Sequence, residues 1–368
     1  MAKQNGNLKA AKAAKNDEFY TQLTDIEKEL KHYKHHFKDK VVFCNCDDPE
    51  WSEFWNYFRL NFDELGLKKL ISTHYVDNGV SDEPHSYKLE LTEYNGTPIR
   101  TDLVGNGDFA SDECIKLLEE ADIVVTNPAF STFRPYVKLL MDYNKKFLII
   151  GNKNAITYKE FFPYLKDKYV WIGHTQPQEF RTPDGMTKQV AGLCRWFTNL
   201  ETKKRNGDVI LWRKYYNEDG TVNEDTANRY RKYDNYDAIN VDKVSDIPID
   251  YYGVMGVPIT MLDKYNPSDK QDINDNGVSL NGDLATYFDI VGLCNGKDDL
   301  AGISTTKDYR EYREIDAVTK VPTGMSGMKI NGNPVLVGKP SKGKCFEKDG
   351  RIVRSCYARI FIKRKDSK

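Results

Sequence analysis

The chain has 368 residues and a net charge of −1, from 54 Lys and Arg against 55 Asp and Glu. That length fits about two domains of ~150 residues. With 39% hydrophobic and 12% aromatic residues the chain can bury cores, which excludes a wholly disordered protein. No apolar run approaches the ~20 residues that cross a bilayer, which excludes a membrane protein.

The start, MAKQNGNLKAAKAAKNDEFY, carries Lys3, Lys9, Lys12 and Lys15 and no acid before Asp17. It reads as a basic flexible tail over 1–15 without the apolar stretch of a secretory signal. Residues 22–38 place Leu23, Ile26, Leu30, Tyr33 and Phe37 at helical spacing, with Thr24 or Asp25 as a cap. VVFCNC (41–46) reads as a strand and 52–60 as a helix, with Trp51, Phe54, Trp55 and Phe58 in the core. A second strand is expected at 68–76, a helix at 112–121, and a strand at 122–130 that breaks at Asn-Pro. A helix at 133–143, a buried strand at 147–152 and a helical stretch at 158–165 follow. Strands separated by helices predict parallel crossover units and a doubly wound α/β sheet. Ligands of such sheets sit at the carboxyl ends of the strands, so the residues just after each apolar run carry the information.

Beyond about residue 200 the texture changes to Gly, Asn, Asp, Lys and Tyr with many turn signals, and a second, irregular β-rich region is expected over 201–368. It ends on the strand-like ARIFIK at 358–363, and 266–283 reads as an exposed loop. The seven cysteines are scattered, with no CxxC pair and no zinc spacing, so neither a disulfide framework nor a metal site is expected and a reducing cytoplasm fits. Basic residues cluster at 1–15, at Lys203, Lys204, Arg205, Arg213 and Lys214, and at 342–368, where ten Lys and Arg face three acids. Such runs are usually solvated faces.

Asn127-Pro128-Ala129-Phe130 follows DIVVT directly. An isolated Asn-Pro pair would read as a turn. At a strand end in an alternating α/β chain, the four residues resemble the Asn-Pro-Pro-Phe/Tyr signature of methyltransferases that act on exocyclic or amide nitrogens. The chemistry suits the residue types. An adenine N6 lone pair is delocalised, and two fixed acceptors on the amino hydrogens favour the developing sp³ nitrogen. The Asn127 side-chain oxygen and the Pro128 carbonyl can supply them, the proline ring stiffens the backbone, and Phe130 can stack on an extruded base. Ala129 stands where the signature has a second proline, at a cost in rigidity.

A wider resemblance covers DEFYTQLTDIE (17–27), VVFCNCDDP (41–49), FDELGLKKLI (62–71), DIVVTNPAFSTFRPYV (122–137), KKFLIIGNKNAITYKEFF (145–162) and the segment 232–267. Over these segments the sequence resembles the EcoRI-type adenine-specific DNA methyltransferases. The resemblance implies a Rossmann-like S-adenosylmethionine-dependent catalytic domain over 16–200 and a target-recognition domain over 201–368. It implies S-adenosylmethionine as donor and adenine N6 in a short duplex site, such as GAATTC, as acceptor. It also implies a monomeric cytoplasmic enzyme that acts alone or beside a restriction endonuclease of the same site.

Tyr20 and Thr21 then lie in the motif that folds over the methionine end of the cofactor, although Asp17 and Glu18 would equally cap a helix. The turn from Asn45 through Asp47 and Asp48 to Pro49 stands where a Gly-rich loop is usual. Asp47 or Asp48 can hold the cofactor's ammonium, or the turn is structural only. The second strand lacks the usual ribose-gripping acid, and His74 reads as a strand-end residue. Asp108 and Phe109 resemble the residues that meet the cofactor's adenine, with a helix-capping turn as the alternative. Arg181, Lys203, Lys204, Arg205, Arg229, Arg231 and Lys232 are candidates for DNA contacts. Two other readings are an enzyme of the same chemistry acting on RNA or on a protein glutamine, and a catalytically silent DNA-binding relative.

Overall fold

The computed structural model describes residues 20–46, 48–76, 85–182, 185–202, 209–222, 224–265, 280–282, 284–294, 311–316, 318–326, 333–338 and 345–365. The tail over 1–15, Asp47, Lys203, Lys204, Arg205 and most of the expected loop at 266–283 lie outside the described residues. The chain divides into two compact units, Met1–Ala155 with Val170–Arg205, and Ile156–Tyr169 with Asn206–Lys368.

The first unit opens with β1 (Tyr20–Thr21) and α1 (Leu23–Leu30). Next come β2 (Val41–Cys44), α2 (Glu53–Leu60), the single turn α3 (Phe62–Leu65) and β3 (Lys69–His74). A hairpin of β4 (Tyr87–Leu91) and β5 (Ile99–Asp102) leads to α4 (Asp112–Glu120), β6 (Ile123–Thr126), α5 (Phe133–Asp142) and β7 (Lys146–Asn152). The unit closes with β8 (Trp171–Ile172), β9 (Glu179–Arg181), β10 (Thr187–Gln189) and β11 (Cys194–Thr198).

The main sheet runs β5-β4-β3-β2-β6-β7-β11-β8. Its middle strands β3, β2, β6 and β7 are parallel; β4 and β11 flank them antiparallel, and β5 and β8 pair antiparallel with β4 and β11 in turn. The parallel strands are the apolar runs VVFC, IVVT and FLII, as burial on both faces requires. Gly151 lets α5 approach β7 closely, since a Cβ there would run into the Phe133 ring. A second, small sheet orders as β1-β9-β10.

Ser52 and Ser111 cap α2 and α4 by accepting from the amides of Phe54 and Cys114, which fixes both helix starts. Trp51 precedes the cap of α2 and is 61% exposed, so it leaves the core in which it was expected, while Phe54, Trp55 and Phe58 are buried. The expected helix over 22–38 ends as an α-helix at Leu30, and only a short 3-10 turn, Lys34–His36, continues it. Tyr33 and Phe37 still reach the core. Neither Thr24 nor Asp25 is the cap, because Gln22 holds that position and both residues fall within the helix. Rings at right angles, Phe37 on Phe58 at 5.1 Å and Phe54 on Trp196 at 5.9 Å, fill the layer between helices and sheet.

The second unit has α6 (Phe162–Lys166), α7 (Glu224–Arg229) and α8 (Leu284–Tyr287). It is otherwise a set of mostly short strands. β12 (Val209–Leu211), β13 (Ile239–Asn240), β14 (Met255–Pro258), β15 (Leu280–Gly282) and β16 (Phe288–Cys294) come first. β17 (Arg313–Ile315), β18 (Pro322–Ser326), β19 (Val335–Val337), β20 (Cys345–Lys348), β21 (Arg351–Ser355) and β22 (Arg359–Arg364) complete it. They form three sheets, β12-β15, β13-β14-β22-β16 and β18-β17-β20-β21-β19. Tyr233, Tyr236 and Phe361 centre one core of this unit.

Candidate active site

The site lies at the carboxyl ends of β6, β2 and β3. β6 is buried throughout and ends at Thr126. Asn127 and Pro128 follow it and are buried, whereas Ala129 and Phe130 are half-buried. The Ala129 carbonyl accepts from the amide and the hydroxyl of Thr132, both at 2.9 Å, and so turns the chain into α5. The Phe130 ring packs 6.3 Å from that of Phe180.

Three buried hydroxyls stitch these strand ends together. Thr126 Oγ1 donates to the Asn45 carbonyl. Ser72 Oγ donates to the Cys44 carbonyl at 2.9 Å, and Thr73 Oγ1 meets Asn45 Oδ1 at 3.5 Å. The Asn127 segment is thereby held beside the turn that leaves β2. Cys46 in that turn has φ 67°, the left-handed conformation that glycine supplies in the usual loop. Asn45 is 1% exposed, and its Nδ2 meets no hydrogen-bond partner among the described residues.

The next residue described, Asp48, holds the start of α2. Its Oδ1 accepts from the Glu50 amide at 2.9 Å, and its Oδ2 lies 2.9 Å from His74 Nδ1 at the tip of β3. The His74 ring stacks on Tyr87, whose hydroxyl donates to Glu50. Burial pushes the Tyr87 phenol above its ordinary value, with its bond to Glu50 adding to the effect. Asp108 and Phe109 sit in a turn docked on the same strand end, where the Val76 amide donates to the Asn106 carbonyl at 2.9 Å. Asp108 Oδ1 accepts from the Ala110 amide, and Phe109 meets Tyr136 edge-on at 5.1 Å.

The small sheet closes the other side. Thr21 pairs with Phe180 and Tyr20 with Arg181. Thr21 is 2% exposed, and its Oγ1 has no hydrogen-bond partner among the described residues. Phe180 therefore links the strand carrying Thr21 to the ring of Phe130. Two buried acids of α1 fix this sheet. Asp25 Oδ2 accepts from the Gln178 amide at 2.6 Å. Glu29 accepts from Tyr33 Oη, the His174 amide, and the Thr175 amide and hydroxyl.

The structure thus gathers Thr21, Asn45, Asp48, Asp108, Phe109 and the Asn127–Phe130 segment along one edge of the parallel strands. Arg181 is exposed on β9 of the same unit. Arg229, Arg231 and Lys232 belong to the second unit. Arg229 lies 3.9 Å from Asp246, Arg231 Nη1 donates to the Val337 carbonyl at 3.1 Å, and Lys232 lies 3.5 Å from Asp237. Sequence reasoning missed Ser72, Thr73, Thr126 and Phe180. For Ser72 and Thr73 the signal was a pair of hydroxyl residues closing the apolar stretch of β3.

A profile of the family described as Adenine-specific methyltransferase EcoRI matches residues 7–365. Type II methyltransferase M.EcoRI of Escherichia coli is 44% identical, over 77% of this chain and 95% of that protein. Type II methyltransferase M.MpnI of Mycoplasma pneumoniae is 38% identical, and M.MgeORF184P of Mycoplasma genitalium 37%, each over 70% of this chain and 82% of the relative. No solved structure matches the chain. A profile match over nearly the whole length, with a relative 44% identical that the chain covers to 95% of its length, places it by descent: the chain belongs to the EcoRI family of adenine-specific methyltransferases.

Proposed function

We propose that the tip of β6 is the catalytic segment of a DNA adenine N6 methyltransferase that uses S-adenosylmethionine. The observation that carries this reading is the buried Asn127-Pro128 pair, tied through Thr126 to the turn after β2. The Asn127 side-chain oxygen and the Pro128 carbonyl accept from the two hydrogens of an extruded adenine's amino group. Phe130 stacks on the base, and Phe180 backs it. With N6 held by these two acceptors, S-adenosylmethionine would supply the methyl group that N6 takes and would leave as S-adenosylhomocysteine, and the surplus proton on N6 would pass to water.

S-adenosylmethionine, bound at the same strand ends, supplies the electrophilic methyl carbon. The residues present suit it. The buried Asn45 Nδ2 and Thr21 Oγ1 are polar atoms without partners among the described residues, a costly arrangement unless a ligand meets them. Tyr20 belongs to the same lid strand. Asp48, beside the β3 tip, counters the ammonium together with Asp47, the residue before it in sequence, and Asp108 with Phe109 receives the adenine.

The parallel strands β3-β2-β6-β7 support a Rossmann-like methyltransferase domain over 16–200. Residues 201–368 then form the target-recognition domain, whose Arg229, Arg231, Lys232 and the sequence cluster Lys203, Lys204 and Arg205 meet duplex DNA, together with Arg181 of the catalytic domain. Among the described residues no helix is long and apolar enough to cross a membrane. We read the protein as a monomeric cytoplasmic enzyme of a restriction–modification system, beside an endonuclease of the same GAATTC-like site. The names of the Type II relatives support the restriction–modification part of this reading.

Incubation with tritiated S-adenosylmethionine and unmethylated genomic DNA, followed by mapping of modified bases, is expected to place N6-methyladenine at one short sequence. Asn127→Ala is expected to abolish transfer and leave DNA binding largely intact. Wild-type rates in Asn127→Ala would refute the site. Label appearing in RNA or protein instead of DNA would refute the substrate.

A further inference from the structure

Backbone pairing between β2 and β6 stops early. The parallel register matches Val42 with Ile123 and Phe43 with Val124, and it would bring Asn45 opposite Thr126. The ladders on either side run further, β2 with β3 as far as Cys44 and Ser72, and β6 with β7 as far as Thr126 and Ile149. The two central strands therefore part at the end where the cofactor turn and the Asn127 segment leave the sheet. Parting makes room for a ligand. Beyond Phe43 and Val124 the β2–β6 ladder no longer aligns one segment against the other.

Thr126 spans that gap. Its side chain is fully buried, and its hydroxyl donates to the Asn45 carbonyl. Asn45 begins the turn assigned to the cofactor, and Asn127, next to Thr126, begins the segment assigned to the base. Thr73 approaches the side chain of the same Asn45 from β3. One residue, Asn45, is thus held from both neighbouring strands, at its carbonyl by Thr126 and at its side-chain oxygen by Thr73.

We propose that Thr126 is a positioning residue that sets the methyl donor's turn at a fixed distance from the base-binding segment. The proposal rests on the reading of those two segments given above. Methyl transfer in line depends steeply on that distance, and misplacement by ~1 Å can cost about a hundredfold in rate. Valine at this position keeps the volume of threonine but removes the donor and strands the Asn45 carbonyl.

The test compares full-length Thr126→Val and Thr126→Ser with a control at Thr198. Thr198 on β11 is fully buried too, and it donates to the Phe147 carbonyl at 2.6 Å, away from the cofactor turn. For each protein the quantities read are kcat, KM for S-adenosylmethionine, Kd for duplex DNA and melting temperature. In Thr126→Val the expected result is a kcat lower by at least about tenfold and a cofactor KM higher by about tenfold, the worth of one buried hydrogen bond. DNA Kd stays within about twofold, because phosphate contacts dominate it. Thr126→Ser keeps the donor and recovers most of both parameters. Thr198→Val lowers the melting temperature at least as much but leaves the cofactor KM unchanged.

If the valine variant does not fold, Thr126→Ala against Thr126→Ser repeats the comparison, since those two differ by the hydroxyl oxygen alone. Wild-type kcat and KM in the variants lacking the hydroxyl would overturn the proposal. Equal KM losses at Thr198 and Thr126 would overturn it too. Asn127→Ala assayed alongside separates the two readings. If it is inactive while Thr126→Val behaves as wild type, only the positioning role falls. If it is active, the site itself falls.

Discussion

Asn45 commits both of its oxygens to the fold and leaves its amide nitrogen unused there. Its carbonyl takes the Thr126 hydroxyl, and its Oδ1 faces Thr73 Oγ1 at 3.5 Å and Cys46 Sγ at 3.6 Å. Both neighbours of Oδ1 are donors, so the amide nitrogen is turned away from them, buried and without a partner among the described residues. Asn45→Ala removes that donor and keeps the carbonyl on which Thr126 rests. The expected outcome is an affinity for S-adenosylhomocysteine weaker by about tenfold, the value of one hydrogen bond to a charged or polar ligand atom. Titration calorimetry on the full chain reads it, and an unchanged affinity would remove Asn45 from the cofactor site. At this scale the sequence was legible for position, as with Asn127 and Pro128, where the Asn-Pro break marks the tip of β6. It was not legible at Thr126, because a threonine closing IVVT looks like any β-branched strand residue until the opposite carbonyl is located. Nor was it legible at Phe180, which sits in a strand of three residues with no periodicity to read.

At the scale of elements, the parallel strands and the helices between them were readable because each is an apolar run or a helical stripe ended by a cap or a turn. The hairpin of β4 and β5 was not. β5 is exposed at all four positions and takes its conformation from pairing with β4, a partner that local composition does not reveal. The start of α1 was misread for a related reason. Asp25 looks like a cap, yet its carboxylate bonds the Gln178 amide, more than a hundred residues away in sequence. Glu29 does the same for His174 and Thr175 and is fully buried. Burial raises its pKa above the usual 4.5, and this outweighs four hydrogen-bond donors that act the other way. A carboxyl with a raised folded-state pKa binds its proton more tightly in the folded chain. Its contribution to stability is therefore greatest below the ordinary carboxylate range and declines as pH rises from there through the raised value. Gln at this position does not titrate, and its NH₂ would face two of the four donors. We expect Glu29→Gln to destabilise the protein by about 1–3 kcal/mol at the acid end, and the difference from wild type to shrink as pH rises from about 4.5. Urea unfolding of both proteins across that range reads the difference, in which other titrating groups cancel. A difference that grows with pH would contradict the assignment.

For the whole molecule, a net charge of −1 must be reconciled with a polyanionic substrate. The linear sequence suggested a strongly basic carboxyl end, but folding brings acids from elsewhere to it. Lys348 pairs with Glu311, Arg351 with Asp234, Arg359 with Asp242 and Lys365 with Asp289. Counting charges along a chain misses such pairing because the partners lie tens to more than a hundred residues apart. The same reasoning ranks the candidate DNA contacts of the second unit, which sequence alone left level. Arg229 shares Asp246 with Arg213, whose Nε lies 2.6 Å from that carboxylate. Arg231 already donates to the Val337 carbonyl. Lys232 pairs with Asp237 in the open, with side chains 68% and 87% exposed. An exposed pair of that kind contributes little, so exchanging Asp237 for a phosphate costs almost nothing. Each phosphate neutralised by a protein cation adds about −0.9 to the slope of log affinity against log salt. Lys232→Ala is therefore expected to make that slope shallower by about one and to weaken binding evenly across DNA sequences. Arg229→Ala, whose charge is engaged within the fold, should change the slope by less than half as much. Fluorescence anisotropy on a short duplex between about 50 and 200 mM salt measures both. Equal slopes for wild type and Lys232→Ala would place the phosphate path elsewhere on the protein. A change in sequence preference without a change in slope would make Lys232 a base contact.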